Sequence, residues 1–152
     1  MNKTLCIVLF IIGLVAALFG AFGIIEEVFH WIFLRLSGSP ARITGWCQVN
    51  FGRASNSTLI GCLAGPFGKM FVLYSAMFWL LYRGKISMAA LLLGATHAEW
   101  GMAYFGPDFR IWVPWLTSDA FLVVVLWGWT IFNLAMIGLG WVAIVSTTMK
   151  RK

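Results

Sequence analysis

Between Lys3 and Glu26 the chain carries no charged side chain. A helix rises ~1.5 Å per residue, so about 18–20 such residues cross the ~30 Å hydrocarbon layer of a bilayer. A soluble domain has no use for an apolar run of this kind, because its helices keep one polar face for water. Three more apolar stretches follow, so that the chain divides into residues 4–36, 59–82, 86–105 and 119–149 with short polar connections. The expected fold class is therefore all-α, a polytopic membrane protein with a bundle of about four transmembrane helices. No long linker or internal repeat interrupts residues 1–152, which are read as a single transmembrane domain. The first stretch is too long for one upright helix and is expected to tilt, or to bend near Gly20 or Gly23. Its opening, Lys3 and then an apolar run reaching Gly20-Ala21-Phe22-Gly23, has the outline of a signal peptide. The run continues to Leu34, however, and is read as a retained span.

Charge is distributed accordingly. Only 11% of residues are charged, where soluble domains carry roughly a quarter. The net charge of +6 comes from Lys and Arg in the connections and at the ends, so it supplies no basic groove and argues against nucleic acid as a partner. The expected partners are the lipid bilayer itself and either a transmembrane peptide substrate or partner subunits. With four spans, Lys3, Arg83, Lys85, Lys150, Arg151 and Lys152 share one side, against Arg35, Arg42, Arg53 and Arg110 on the other. The positive-inside bias then places both termini in the cytoplasm. The three cysteines, Cys6, Cys47 and Cys62, have no metal-ligand spacing. Cys47 and Cys62 flank one connection and can pair if it faces an oxidising compartment.

Chemistry must come from few groups. The acidic residues are Glu26, Glu27, Glu99, Asp108 and Asp119, and the histidines are His30 and His97. A carboxylate inside a membrane costs several kcal/mol unless paired, protonated or metal-bound, so each such residue is a functional hypothesis. In an antiparallel bundle Glu26, Glu27, His30, Lys69, His97, Glu99 and Asp119 all fall towards one face of the membrane. Glu26 and His30 are one helical turn apart, with Glu27 three residues before His30, so all three share a side. That is the spacing of the zinc-binding HExxH helix with Glu26 at the first ligand position.

The stretch from Glu26-Glu27 through His30 to Gly38 and Pro40 resembles the active-site helix of site-2-protease-like intramembrane zinc metalloproteases. Leu63-Ala64-Gly65-Pro66-Phe67 is similar to the Ala-Gly-Pro element opening that family's second core helix, and Ser118-Asp119-Ala120 to the segment bearing its Asp ligand. Glu26 stands where the family has its first His. The resemblance, covering residues 20–134, implies zinc as cofactor, with Glu26, His30 and Asp119 as metal ligands and Glu27 as catalytic base. Under that resemblance His97 is expected either to replace the missing His as a ligand or to steady the transition state. It implies either an intramembrane zinc endopeptidase that cleaves membrane-embedded peptide bonds with a zinc-activated water, or an inactive relative.

Plainer readings stand beside this one. Glu26, Glu27 and His30 can form a charge cluster at a helix end, with Arg35 or Lys69 as partner. His97 with Glu99 can be a satisfied interfacial pair, and Asp119 a helix cap. The chain as a whole can be a non-catalytic four-helix subunit or scaffold of a larger membrane complex. In that case Gly94, Gly101, Gly128, Gly138 and Gly140 allow close helix contact.

Overall fold

A computed structural model describes residues 3–38, 40–46, 48–50, 57–105 and 120–149. Among the described residues the chain is predominantly helical: α1 (Lys3–Leu18), α2 (Gly23–Leu36), α3 (Ser57–Tyr82), α4 (Ile86–Phe105) and α5 (Ala120–Met149). A small antiparallel hairpin, β1 (Arg42–Gly45) and β2 (Gln48–Asn50), lies in the connection after α2. It pairs Arg42 with Asn50 and Ile43 with Val49, with an irregularity before Gly45. The sequence reading had only a polar connection there.

Glycine sets the ends of the elements. The long first stretch breaks at residues 19–22, where Gly20 has φ of +76°. A left-handed backbone ends a right-handed helix and costs glycine little. At the end of α3, Gly84 (φ +69°) turns the chain. Its N–H bonds the Leu81 carbonyl while that of Lys85 reaches back to Leu80 at 2.8 Å. This Schellman closure satisfies carbonyls that the helix end would leave open.

The contacts group the chain into two compact units. One comprises residues 19–73: α2, the hairpin and the first part of α3. The other takes residues 1–18 and 74–152: α1, the end of α3, α4 and α5. The division falls inside continuous apolar segments, where composition gives no boundary signal.

Within the second unit, α4 packs against both α1 and α5. A methyl group on Gly13 would run into the Leu91 carbonyl, and one on Gly94 into the Phe10 carbonyl. The two glycines thus let each backbone approach the other, and Cys6 Sγ lies 3.8 Å from Ser87 Oγ on the same seam. Cys6 meets Ser87, and further along Gly13 meets Leu91 and Ala95, so α1 and α4 run parallel. The end of α3 meets α5 the same way: Tyr74 touches Asn133, and Met77 lies against Gly140. On α5 the buried positions Asn133, Ile137, Gly140 and Ile144 recur every three or four residues, one stripe of a helix. Val124, Trp127, Ile131, Leu139 and Val142 remain exposed. An apolar helix face of that extent belongs against lipid or protein, not water.

Among the described residues, two helices contain stretches long and apolar enough to cross a membrane, Ala64–Tyr82 and Trp127–Met149, and α1 with α2 makes a third if the broken pair is one span. The segment at residues 86–105 forms its helix as expected but does not reach that apolarity. Its Ile86, Ala89, Leu93, Ala95, Thr96, Ala98 and Glu99 are buried, and a helix surrounded by protein need not be lipophilic.

Candidate functional site

The candidate site lies in the unit of residues 19–73, on facing turns of α2 and α3. Helical spacing puts Glu26, Phe29 and His30 on one side of α2. Gly65, Gly68 and Lys69 occupy the corresponding side of α3. A Cβ on Gly65 would clash with the His30 ring, and one on Gly68 with the Phe29 ring. The absence of both side chains makes a groove that admits the two rings. Pro66 within α3 gives up a backbone donor and is tolerated beside this close packing.

One turn further along α3, Lys69 closes the arrangement. Its ammonium donates to Glu26 Oε2. Glu26 Oε1 in turn lies 3.6 Å from His30 Nε2. The side chains of Lys69 and Glu26 are 10% and 21% exposed, so charge and countercharge are largely withdrawn from solvent together. The order of contacts, Glu26 with Lys69 and His30 with Gly65, makes α2 and α3 antiparallel here. Of the partners read from sequence for the Glu26 cluster, Lys69 is the one in contact. Gly65 and Gly68 were not expected to matter as a groove. Their signal was the spacing Gly-Pro-Phe-Gly immediately before a lone intramembrane lysine.

Glu27 has an interaction of its own. His97 and Glu99 belong to the other unit. The Trp141 indole N–H donates to His97 Nε2 at 3.1 Å, which makes that nitrogen the acceptor. Nδ1 then carries the hydrogen and donates to the Leu93 carbonyl at 2.7 Å. Both ring nitrogens are thereby engaged, and Phe10 packs edge-on to the ring. Glu99 is buried and partnered. Asp119, Asp108, Cys47 and the side chain of Cys62 lie outside the described residues.

Of the zinc ligands that the resemblance implies, Glu26 and His30 are brought together, and Asp119 lies outside the described residues. A metal on Glu26 and His30 would have to share the Glu26 carboxylate with a lysine ammonium already bound to it. A metal on His97 Nε2 would have to displace the Trp141 indole N–H. Among the described residues no three His, Cys, Asp or Glu side chains are grouped to hold a metal. What the site does chemically is neutralise itself: one anion, one cation and one imidazole satisfied across two helices. Comparison with family models, with curated proteins and with solved structures gives no match to this chain.

Proposed function

We propose that this chain is a four-span, non-catalytic membrane subunit, a metalloprotease-like core in which the site residues hold helices together instead of cleaving peptides. The observation that carries this reading is the Glu26 carboxylate, one oxygen of which is committed to Lys69 and the other turned to His30. A hydrolytic site needs an open position for its water and substrate, and this carboxylate is spent on an internal ion pair. The helix directions support four spans: α2 against α3 is antiparallel, while α1 with α4 and the end of α3 with α5 run parallel. Consecutive crossings with short connections give that pattern. Arg83 and Lys85, beside exposed Tyr82, sit at a turn suited to the cytoplasmic interface. The apolar face of α5 is available to lipid or to a partner helix.

The test is a purification in mild detergent with metal analysis and native mass measurement. The expected result is no bound zinc and an assembly of fixed stoichiometry that survives Glu27→Gln unchanged. About one zinc per chain, lost in His30→Ala, would overturn the reading.

A second reading, a zinc-dependent intramembrane endopeptidase, is favoured by one contact. Gly65 of the Ala64-Gly65-Pro66 element lies directly on His30, so two of the three segments that carry the family resemblance are packed together. Peptide cleavage in reconstituted vesicles that disappears with Glu27→Gln would select it.

A further inference from the structure

In the unit of residues 1–18 and 74–152, cations gather at the end where α1 and α4 begin. Cys6 Sγ lies 3.8 Å from Ser87 Oγ. Lys3, one turn before Cys6, and Lys85, two residues before Ser87, therefore open the same parallel helix pair. Arg83 stands beside them in the turn, its guanidinium 5.5 Å from the centre of the Trp79 ring. All three cations are exposed. Among the described residues none of them has an ion-pair partner. The described carboxylate of this unit, Glu99, lies about 18 Å further along α4 than Ser87, at ~1.5 Å per residue. The positive ends of the α1 and α4 dipoles point the same way as the cations. Within two turns of them, Leu5 and Val8 on α1, Met88 on α4, and Trp79 and Tyr82 on α3 are exposed. A free anion makes no use of such an apolar surround, whereas a lipid brings a charged head and acyl chains as one molecule.

We infer that this end of the unit binds an anionic phospholipid, its phosphate held by Lys3, Arg83 and Lys85 and its acyl chains laid on the neighbouring apolar side chains. Charge complementarity selects the headgroup. Three cations without an anion attract a net-negative lipid, and they repel the ammonium of a zwitterionic one. The Arg83 guanidinium offers a planar fork to two phosphate oxygens, and the lysines add compact point charges. Stacking on Trp79 holds that fork in place. The Trp79 and Tyr82 rings suit headgroup depth, where one end of an aromatic side chain is apolar and the other wet. The inference goes beyond the non-catalytic reading and uses none of the residues that carry it. It needs only that the chain sits in a membrane.

The experiment is native mass measurement of the full chain in mild detergent, titrated with phosphatidylglycerol, phosphatidylcholine or inorganic phosphate. Wild type should hold phosphatidylglycerol about tenfold or more tighter than phosphatidylcholine. Each of Lys3→Gln, Arg83→Gln and Lys85→Gln should weaken phosphatidylglycerol about fivefold, and the triple variant about a hundredfold. Lys85→Arg, which keeps the charge, should bind as wild type does. So should Arg42→Gln, which removes an exposed cation of the other unit. These exposed substitutions should leave the melting temperature unchanged, so that each loss is read on folded protein. A wild type that prefers neither lipid would overturn the inference and leave an acidic protein segment as the occupant. An equal loss in Arg42→Gln would overturn it too, because total charge, and not this cluster, would then set binding. Displacement of the lipid by millimolar inorganic phosphate would identify a free-anion site instead. None of these outcomes touches the Glu26–Lys69 pair. Stoichiometric zinc in wild type would overturn the non-catalytic reading and leave the lipid result standing.

Discussion

The Trp141 indole donates to His97 Nε2 at 3.1 Å and thereby fixes which imidazole nitrogen holds the hydrogen. With Nδ1 donating to Leu93, the ring is a neutral crosslink between α4 and α5. Nitrogen chemical shifts of labelled His97 should report a single tautomer, protonated at Nδ1. Trp141→Phe should release it to a mixture and cost about 1 kcal/mol in stability. A tautomer mixture in wild type would contradict the assignment.

Lys69→Met should destabilise the unit of residues 19–73 by about 3 kcal/mol in metal-free buffer, since it strands a buried carboxylate. Glu26→Gln in the same chain should restore much of that loss, because the remaining pair is uncharged. Denaturant unfolding in detergent of the two single variants and the double gives the coupling directly. Additive losses would mean that the Glu26–Lys69 contact carries no energy.

Tyr74 donates to Asn133 Oδ1 at 2.8 Å, and Asn133 Nδ2 donates to the Trp129 carbonyl. Interhelical bonds in membranes contribute about 0.6–2 kcal/mol, so Tyr74→Phe should cost about 1 kcal/mol. Asn133→Leu should cost more, because it adds volume to a fully buried position. Equal stability of Tyr74→Phe and wild type would place the bond outside the folding energetics.

Gly94→Val should force α1 and α4 apart, with a loss of about 2 kcal/mol or more, since the new side chain meets Phe10 backbone that cannot rotate away. Gly138→Ala is the control. That position has no described atom within 4 Å of a built Cβ, and alanine should be neutral or slightly stabilising there. Thermal denaturation of both variants in one detergent separates packing from propensity.

The contrast between those glycines shows where sequence reading stops. Of the glycines expected to permit close helix contact, Gly94 and Gly140 do so, while Gly101, Gly128 and Gly138 have no described atom within 4 Å of a built Cβ. Gly13 and Gly68, not singled out beforehand, and Gly65, read only as part of the Ala-Gly-Pro element, sit at comparably tight approaches. A glycine announces that a backbone can come near, but only the partner helix decides whether one does. The hairpin after α2 was likewise invisible, because strands of three and four residues leave no period to count.

What the residues alone determined was the helical character, the apolar stretches and their approximate limits. Those follow from local hydrophobicity and from the need to satisfy every backbone group within a segment. They also put Glu26 and His30 on one helix face, since that needs only a pitch of 3.6 residues. Tertiary structure alone decided what the carboxylate there would hold. Glu26 could have faced Arg35, a metal or Lys69, and the choice turned on α3 lying against α2 through Gly65 and Gly68. The partner of a buried charge is set by packing between segments 43 residues apart, and no spacing within either segment encodes it.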